Sequence, residues 1–510
     1  MVDILAGKSL YKGTVLADGS FALATTQNGL AIIDAQGHLL RHISRASGLQ
    51  DNGVFSVHVD RATGQLWLGL DNGISRVEIT APLSRYDAQS GITSAVLAIH
   101  RHQGKLYVGT SSGLAWLDPT ALSFRPTIGS AWQTFALLSV GETLLAGTND
   151  GLYQISGDRV NVIRASVAGD FGVTAMHLWR RDPRYLFLAL SGGIAVMRRK
   201  GETWVDEEKI PGVTEQGYQL VESADGSVWL GISGQGVVRL SFLEGAESSS
   251  RIRNARIERF GQAQGLPEGI YATLSANRRE YFVSLAGVFR FDEGQKRFVP
   301  DSTFQSISRG GDPTEYRMIT DNRGRLWMSF GRECAVGLPQ PDGSYRIEKA
   351  PFLPFADVAV AAILPEDNGI AWFGGTEGVI RYDSNLQKNY NTDYAALIRR
   401  VVVGEDSLIF GGADNGGGGR PSAPTLAYSS NTLHFEYAAP FFEQENKTQY
   451  QTFLEGFDKN WSAWHRNTQK EYTNLPEGDY RFRVRAKNIY EHESREAIYA
   501  FNILPPWYRT

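Results

Sequence analysis

The sequence predicts an all-β protein in which a β-propeller is followed by an immunoglobulin-like β-sandwich. A strand–turn–strand pattern recurs nine times along the first 390 residues, and a different set of alternating strands follows it. The chain also has 55 glycines and 11% aromatic residues, a pairing that favours short strands and tight turns over long helices. We therefore predict a propeller at residues 1–393 and a sandwich at residues 394–510.

Each copy of the repeat consists of a short apolar strand, a small turn with a glycine, and a second apolar strand. In LWLGLDNGISRVE (residues 66–78) the apolar side chains fill the space between blades, and Gly73 supplies the positive φ of a tight hairpin. The turn glycines follow one another at intervals of 38 to 51 residues, the length of a four-stranded propeller blade. The nine copies lie at residues 22–34, 66–78, 106–118, 144–155, 186–197, 228–240, 281–292, 326–338 and 371–383. Their turn glycines are Gly29, Gly73, Gly113, Gly151, Gly193, Gly236, Gly287, Gly337 and Gly378.

Nine copies are compatible with a ring of seven to nine blades. Propellers typically carry about four to eight blades, so the first one or two copies are also candidates for the end of a preceding propeller that is truncated here. The chain begins almost directly on a strand, which fits such a truncation.

The blade period stops after Asp383, and a second pattern of strands begins. In the segment 432–437 the residues Leu433, Phe435 and Tyr437 share one face, and polar residues occupy the other. Alternation of this kind is typical of half-buried antiparallel strands, and about 100 residues of them fit a sandwich. We predict strands at residues 397–403, 408–410, 425–428, 432–438, 450–454, 480–487 and 498–503.

Three motifs in this region resemble the Y_Y_Y domain, which closes the extracytoplasmic sensor region of bacterial one- and two-component regulators. They are YQTFLEGFDKNWSAW (450–464), EYTNLPEGDYRFRVRAKN (471–488) and FNILPPWYRT (501–510). The nine upstream copies resemble the regulator-propeller repeats that accompany this domain, so the resemblance covers nearly the whole chain. It implies that a transmembrane helix and a cytoplasmic output domain, such as a histidine kinase or a diguanylate cyclase, follow the PPW motif. The positions that match the domain are Tyr450, Leu454, Gly456, Trp461, Tyr472, Leu475, Gly478, Tyr480, Val484, Ala486, Pro505, Pro506 and Trp507.

Composition argues against several other classes of function. The net charge of −4 provides no basic excess for nucleic acid, and no run of about 18 apolar residues is present to span a membrane. His100 and His102 face one side of a strand, but no further ligands lie nearby in the sequence, so we predict no metal site and no cofactor. Cys334, the single cysteine, lacks an identifiable histidine partner and is interpreted as a buried core residue. We predict no catalytic residues.

One loop that departs from the general pattern, and a second that is chosen for its residue types, supply the predicted ligand contacts. In the eighth copy the turn glycine comes ten residues after the aromatic residue, against six in three other copies, and the extra residues include Arg332 and Glu333. The fifth repeat carries Trp179 and Arg180, where an indole and a guanidinium can stack on a sugar or pair with a carboxylate. Propeller ligands generally meet the loops at a ring face or the central channel.

These observations predict an extracytoplasmic, periplasmic sensor module rather than an enzyme. In the family picture a small-molecule or oligosaccharide ligand binds at the propeller face or where propeller meets sandwich. The sandwich pairs with its twin beside the membrane, and binding changes the spacing or angle of the two sandwiches. Two alternatives stay open at this point: a scaffold propeller that binds another protein, and a propeller-type polysaccharide lyase or glycosidase.

Overall fold

A computed structural model of the chain describes residues 10–60, 64–157, 159–167, 171–232, 236–242, 248–276, 279–307, 309–404, 406–412 and 423–509. Contacts divide the chain into two compact units, the first ending at Lys388 and the second beginning at Asn389, except that Ala350–Phe355 belongs to the second. Nearly all regular structure in the described residues is β-strand. The helical segments are α1 (Ser248–Arg253) and short 3-10 helices at Arg45–Ser47, Ala88–Ser90, Gln262–Gln264, Pro313–Glu315, Ala350–Phe355, Tyr428–Ser430, Glu445–Lys447 and Trp507–Arg509. None of the described helices has the length and apolar character needed to cross a membrane.

The first two copies of the repeat form two sheets that precede the ring. Sheet N1 consists of β1 (Leu10–Val15), β2 (Phe21–Thr25), β3 (Leu30–Ile33) and β4 (Leu39–Ile43). Sheet N2 consists of β5 (Val54–Val59), β6 (Leu66–Leu70) and β7 (Gly73–Val77). Buried apolar residues such as Leu30 and Leu68 pack the two sheets against each other. Lys388 Nζ and Glu78 Oε1, 2.7 Å apart, tie the segment after sheet N2 to the segment after the last blade.

The other seven copies form seven four-stranded blades that close into a ring. Each inner strand contacts the inner strands of both neighbouring blades, and the inner strand of blade 7 contacts that of blade 1. Strand β8 (Leu83–Tyr86) comes first along the chain. Blades 1 to 3 consist of β9 (Val96–His102), β10 (Lys105–Thr110), β11 (Gly113–Asp118) and β12 (Ser123–Pro126); β13 (Thr134–Val140), β14 (Thr143–Thr148), β15 (Gly151–Ser156) and β16 (Arg159–Ala165); and β17 (Val173–Leu178), β18 (Tyr185–Leu190), β19 (Gly193–Lys200) and β20 (Thr203–Lys209). Blades 4 to 7 consist of β21 (Gly217–Glu222), β22 (Val228–Ile232), β23 (Val237–Ser241) and β24 (Arg256–Phe260); β25 (Ala272–Ala276), β26 (Arg279–Ser284), β27 (Gly287–Asp292) and β28 (Arg297–Pro300); β29 (Arg317–Thr320), β30 (Leu326–Ser329), β31 (Cys334–Pro339) and β32 (Tyr345–Glu348); and β33 (Val360–Pro365), β34 (Ile370–Gly375) and β35 (Gly378–Asp383) with β8.

Strand β8 closes the ring, because it precedes blade 1 in the sequence but forms the outer strand of blade 7. The register pairs Tyr86 with Val379 and Leu83 with Tyr382. Gly378 has a φ of 97°, and a Cβ there would lie 2.2 Å from the Tyr86 carbonyl oxygen, so the closing strand approaches at a position that only glycine accommodates. An apolar cluster that joins blade 7 to blade 1 supports the closure.

The predicted all-β propeller and sandwich are confirmed, and the ring has seven blades, within the predicted range of seven to nine. All nine copies of the repeat form sheets. The first two stand outside the ring because sheets N1 and N2 bury their apolar faces against each other.

The predicted turn of the eighth copy is wrong in its details. Gly337 lies inside β31, where it pairs with Leu326. The turn joins Ser329 to Cys334 across four residues, whereas two residues suffice at the corresponding turn of blade 1. The left-handed residue of this turn is Gly331, with a φ of 82°. The loop is therefore longer than its counterpart by two residues rather than four.

The sandwich consists of two four-stranded sheets. One contains β36 (Leu397–Val403), β37 (Ser407–Phe410), β39 (Leu433–Ala438) and β41 (Gln469–Tyr472), and the other contains β38 (Thr425–Leu426), β40 (Gln449–Glu455), β42 (Gly478–Lys487) and β43 (Ala497–Ile503). The core between them is aromatic, and the rings of Phe435 and Phe482 stack with their centroids 4.0 Å apart. Tyr480 Oη donates a hydrogen bond to the Pro476 carbonyl at 2.9 Å, so a buried tyrosine keeps its polar end satisfied.

Candidate functional site

The central channel of the ring is lined by the seven inner strands, β9, β13, β17, β21, β25, β29 and β33. One edge of each inner strand pairs with the second strand of its blade, and both faces pack towards the neighbouring blades. Solvent therefore reaches these side chains through the channel or at its ends. We call the side of the ring on which the inner strands begin the mouth face. Since adjacent strands in a blade are antiparallel, the turns between second and third strands and the connections between blades lie on the mouth face as well.

A β-bulge recurs at the mouth end of the inner strand in five of the seven blades. In each case the pairing with the second strand skips one residue, namely Leu97, Phe135, Thr174, Tyr218 or Ala361. Bulges redirect side chains and are common beside binding sites. All five except Ala361 are partly exposed, so Leu97, Phe135 and Tyr218 are partly exposed apolar and aromatic residues at the mouth end of their inner strands.

Two polar side chains, Gln219 of blade 4 and Arg317 of blade 6, converge at this mouth. Gln219 Nε2 donates hydrogen bonds to the carbonyl oxygens of Thr314 at 3.0 Å and Tyr316 at 3.1 Å. Arg317 Nη1 donates to the same two oxygens, each at 2.9 Å. The Thr273 backbone N–H donates to Gln219 Oε1 at 2.8 Å. Gln219 therefore reaches across blade 5, and its amide lies beside the guanidinium of Arg317.

Arg317 keeps donors that the described residues do not use. Its Nε and Nη2 make no hydrogen bond, and no carboxylate forms an ion pair with it, within the part of the chain that the structure describes. Burial lowers the pKa of Arg317 to about 10, and the charge of Glu315 opposes this shift. The guanidinium is still protonated at neutral pH, and Arg317 is only partly exposed, so a nearby anion would stabilise its charged form.

The inner-strand position that Gln219 and Arg317 occupy holds a small residue in most other blades. These two residues pair across the blade with Gly231 and Ser329, respectively. The corresponding positions of blades 1, 2, 3 and 7 are Ala98, Ala136, Ala175 and Ala362. Two long polar side chains thus stand at one level of the channel where four other blades contribute only methyl groups, an arrangement suited to holding the polar group of a ligand.

A second concave feature opens on the mouth face at blade 1. It is a cavity of about 310 Å³ lined by hydroxyl side chains and turn backbone, including Ser94 and Ser112. The Oγ atoms of these two serines lie 2.7 Å apart. Thr127 Oγ1, also in the lining, is buried and has no hydrogen-bond partner among the residues that the structure describes. Hydroxyls both donate and accept, so this cavity suits an uncharged polar group.

The structure places Trp179 in the core rather than at a surface. Its side chain is fully buried, with the ring centroid 5.0 Å from that of Phe242 and 6.0 Å from that of Phe187. Its indole therefore has no face free to stack on a sugar, and the predicted ligand contact at Trp179 is wrong. The indole of Trp179, which directly follows the end of β17, packs in the apolar core between blades 3 and 4.

Arg180 is exposed, but it contacts the carboxylate of Glu222 in the neighbouring blade. Its backbone N–H donates to Glu222 Oε2 at 2.9 Å, and its Nε lies 3.3 Å from the same oxygen. His177 Nε2 shares that carboxylate at 2.7 Å. Burial acts to raise the pKa of Glu222, but the hydrogen bonds from His177 and Arg180 outweigh burial and lower it. This cluster links blades 3 and 4 where their inner strands end, on the side of the ring opposite the mouth face.

Arg332 and Glu333 lie in the turn between the second and third strands of blade 6, on the mouth face. Arg332 is exposed, and Glu333 forms an ion pair with Lys349. The structure therefore does not bring the predicted contacts together: Arg332 and Glu333 share a face with the channel mouth, and Arg180 is at the other end of the ring. Arg332, Glu333 and Arg180 stay predictions as ligand contacts.

Sequence reasoning missed the channel mouth, although one signal was available. The residue at this level is alanine in four of the copies but Gln219 and Arg317 in two others. The β-bulges make these equivalent positions hard to align in the sequence, because they insert one extra residue near the start of the inner strand in some copies but not in others.

The two strand histidines serve a local role. His100 Nε2 and His102 Nδ1 lie 2.8 and 2.9 Å, respectively, from Ser139 Oγ. Burial lowers the pKa of His100, and the neighbouring His102 adds to this shift, so His100 is favoured as a neutral ring. Across the described residues, no group of three or more His, Cys, Asp or Glu side chains is placed to hold a metal ion.

The sandwich can be assigned from its sequence family. The family model described as the Y_Y_Y domain matches residues 442–504. This segment is a Y_Y_Y domain. The resemblance predicted from the motifs is thereby confirmed, and the motif tyrosines Tyr450, Tyr472 and Tyr480 are buried core residues of the Y_Y_Y domain.

Two solved structures are similar to the whole chain, Y_Y_Y domain included. The extracellular domain of the hybrid two-component system BT3049 from B. thetaiotaomicron is 15% identical with a TM-score of 0.68, covering 97% of this chain and 68% of that one. The extracellular domain of the hybrid two-component system BT4673 from the same organism is 17% identical with a TM-score of 0.47, covering 98% of this chain and 70% of that one. No curated protein matches the sequence. The first similarity establishes a shared fold that runs from the propeller through the Y_Y_Y domain.

Proposed function

We propose that this chain is the ligand-sensing, extracytoplasmic module of a membrane-bound signal-transduction regulator. The observation that carries the proposal is the Y_Y_Y domain at residues 442–504, in a chain that shares its fold over 97% of its length with the extracellular domain of a two-component system. In this proposal the chain lies in the periplasm, catalyses no reaction itself, and passes binding to a cytoplasmic output domain such as a histidine kinase or a cyclase.

The ligand site in this proposal is the channel mouth. Phe135 and Tyr218, at the mouth end of their inner strands, offer partly exposed aromatic rings, which suit the apolar faces of sugar rings. Gln219 and Arg317 supply the few polar groups that fix the orientation of a bound molecule. These features support a small-molecule or oligosaccharide ligand.

Transmission in this proposal depends on a homodimer formed through the Y_Y_Y domain. A ligand shifts such a dimer between two arrangements only if it binds one of them more tightly. Sedimentation of the purified chain with and without ligand reports whether binding changes the association of two copies.

The proposal is tested by thermal unfolding of the purified chain against a panel of neutral and acidic oligosaccharides. A true ligand at about 100 times its Kd stabilises the folded state by about 2.7 kcal/mol, a clear increase in Tm. The variants Phe135→Ala and Tyr218→Ala should lose that increase. Val162→Ala, at a 56% exposed position on the outer strand of blade 2, is the matched control and should keep it.

The outcomes separate the proposal from its two alternatives. A Tm increase without reaction products in the chromatogram supports a sensor. Products released by the purified chain would establish a lyase or glycosidase instead. An increase that only a protein partner causes, with no response to the panel, would favour a scaffold.

A further inference from the structure

We infer that the channel mouth recognises an oxyanion, a carboxylate or sulfate group carried by the ligand, and that Arg317 is the residue that binds it. The inference rests on the proposed ligand-sensing function and adds the chemical class of the ligand to it.

The guanidinium of Arg317 is oriented so that one of its edges stays available to a ligand. Nη1 of Arg317 is anchored by the carbonyl oxygens of Thr314 and Tyr316, each at 2.9 Å. The opposite edge of the group, formed by Nε and Nη2, is the edge left without partners among the described residues. Two parallel N–H donors on one edge match the two oxygens of a carboxylate, or two oxygens of a sulfate, in a bidentate contact.

Two other arginines of the ring, both buried or partly buried, show what Arg317 lacks. Arg239 lies 2.7 Å from both Asp225 and Glu293, and these ion pairs raise its pKa although burial acts in the other direction. Arg325 forms an ion pair with Asp321 at 2.7 Å. Arg317 is partly buried and forms no such ion pair among the described residues, so burial prevails there and its pKa is lowered. An anion supplied from solution completes the pairing that the protein builds in elsewhere.

Gln219 argues against a purely structural role for Arg317. Its amide already donates to both Thr314 and Tyr316 carbonyls, so these acceptors stay satisfied when the guanidinium is removed. Removal of Arg317 therefore eliminates a partly buried charge without leaving these two acceptors unpaired. The unliganded variant Arg317→Met should unfold at the same temperature as the wild type or at a higher one.

The test compares matched charged and neutral probes by thermal unfolding and calorimetry. Trigalacturonic acid and its methyl ester differ in their carboxylates, and a sulfated carrageenan oligosaccharide and its desulfated form differ in their sulfates. Inorganic sulfate, at an ionic strength matched with chloride, is the smallest probe. The variants are Arg317→Met, Arg317→Lys and Arg317→Gln, and the matched control is Arg159→Gln, an exposed arginine on the outer strand of blade 2.

The expected result is that at least one acidic probe binds the wild type and the control, and that its neutral form binds about tenfold or more weakly. Arg317→Met and Arg317→Gln should lose that preference for the charged probe, and Arg317→Lys should retain part of it because it keeps the charge without the fork. Which acidic probe binds distinguishes a carboxylate ligand from a sulfate ligand.

Three results would overturn the inference. They are an unchanged preference for the charged probe in Arg317→Met, equal binding of charged and neutral forms by the wild type, and no binding of any acidic probe. In each of them the proposed sensing function still stands if a neutral oligosaccharide binds and Tyr218→Ala abolishes that binding. The proposed function fails separately, when no charged or neutral oligosaccharide stabilises the wild type.

Discussion

Replacement of Tyr86 by alanine should open the ring at blade 7 and leave the other blades closed. Tyr86 sits at the end of the closing strand β8, and its ring centroid is 5.7 Å from that of Phe124 and 5.9 Å from that of Trp372. Each aromatic pair contributes about 0.5–1.5 kcal/mol beyond burial, and truncation of a partly buried ring adds to this, so the local loss is about 2–4 kcal/mol. The Arg85–Glu377 ion pair of the same strand is half-exposed and offsets little of it.

Hydrogen exchange followed by mass spectrometry is the suitable assay, since unfolding of a chain with two compact units is not two-state. A loss of about 2–4 kcal/mol speeds exchange from the locally opened state by about 30- to 1,000-fold. We expect this increase in β35, which pairs with β8, and no change in blade 4. Tyr86→Phe, which keeps the ring, is the control. Faster exchange in β7 rather than in β35 would refute the closure, because it would place β8 with sheet N2.

Three further predictions concern other parts of the ring. Trp179→Ala should destabilise blades 3 and 4 by about 3–5 kcal/mol in hydrogen exchange, as expected for a fully buried side chain. It should leave ligand affinity at the channel mouth unchanged, and a loss of affinity without a loss of stability would restore Trp179 as a contact. Cys334 is 3% exposed, and burial raises the pKa of its thiol to about 12. A disulfide reagent at pH 8 should therefore label the unfolded chain only. Rapid labelling of the folded chain would contradict the burial of Cys334. Hydrogen bonds from Arg184 lower the pKa of Asp182 to about 2. The ionised Asp182 therefore stabilises the folded state above a pH of about 4, and this stabilisation is lost as the pH falls towards 2. The difference in urea midpoint between wild type and Asp182→Asn should shrink over that window, whereas a difference that is constant with pH would show that ionisation is not its source.

The parts of the fold that the sequence predicts are those in which every residue obeys a short-range pattern. The second and third strands of each blade are buried, so their apolar residues and turn glycines repeat visibly. The outer strands are short and half-exposed, as in Leu83–Tyr86, and carry no such pattern. This strand pairs with β35, a segment almost 300 residues away in the chain, and such a pairing cannot be predicted from the local spacing of residues.

The candidate site was harder to predict than the fold for a related reason. The sequence pointed to Arg332 because its loop is lengthened and to Trp179 because an indole beside an arginine can stack on a sugar. The structure places Arg332 on an exposed turn and buries Trp179 in the core. Gln219 and Arg317 stand in ordinary inner strands. They become neighbours only when the ring closes and Gln219 reaches past blade 5 to the carbonyls of Thr314 and Tyr316.

The departures from the blade pattern are consistent with the position that we propose for the ligand. A ring of equivalent blades presents the same residue seven times at each level of its channel, so binding of an asymmetric ligand requires that some blades differ. At the level of Arg317, four blades retain alanine. The two that depart, blades 4 and 6, flank blade 5, and their side chains meet on one pair of carbonyl oxygens. Because the two long polar side chains share both acceptors, they would hold the polar group of the proposed ligand on one side of the channel.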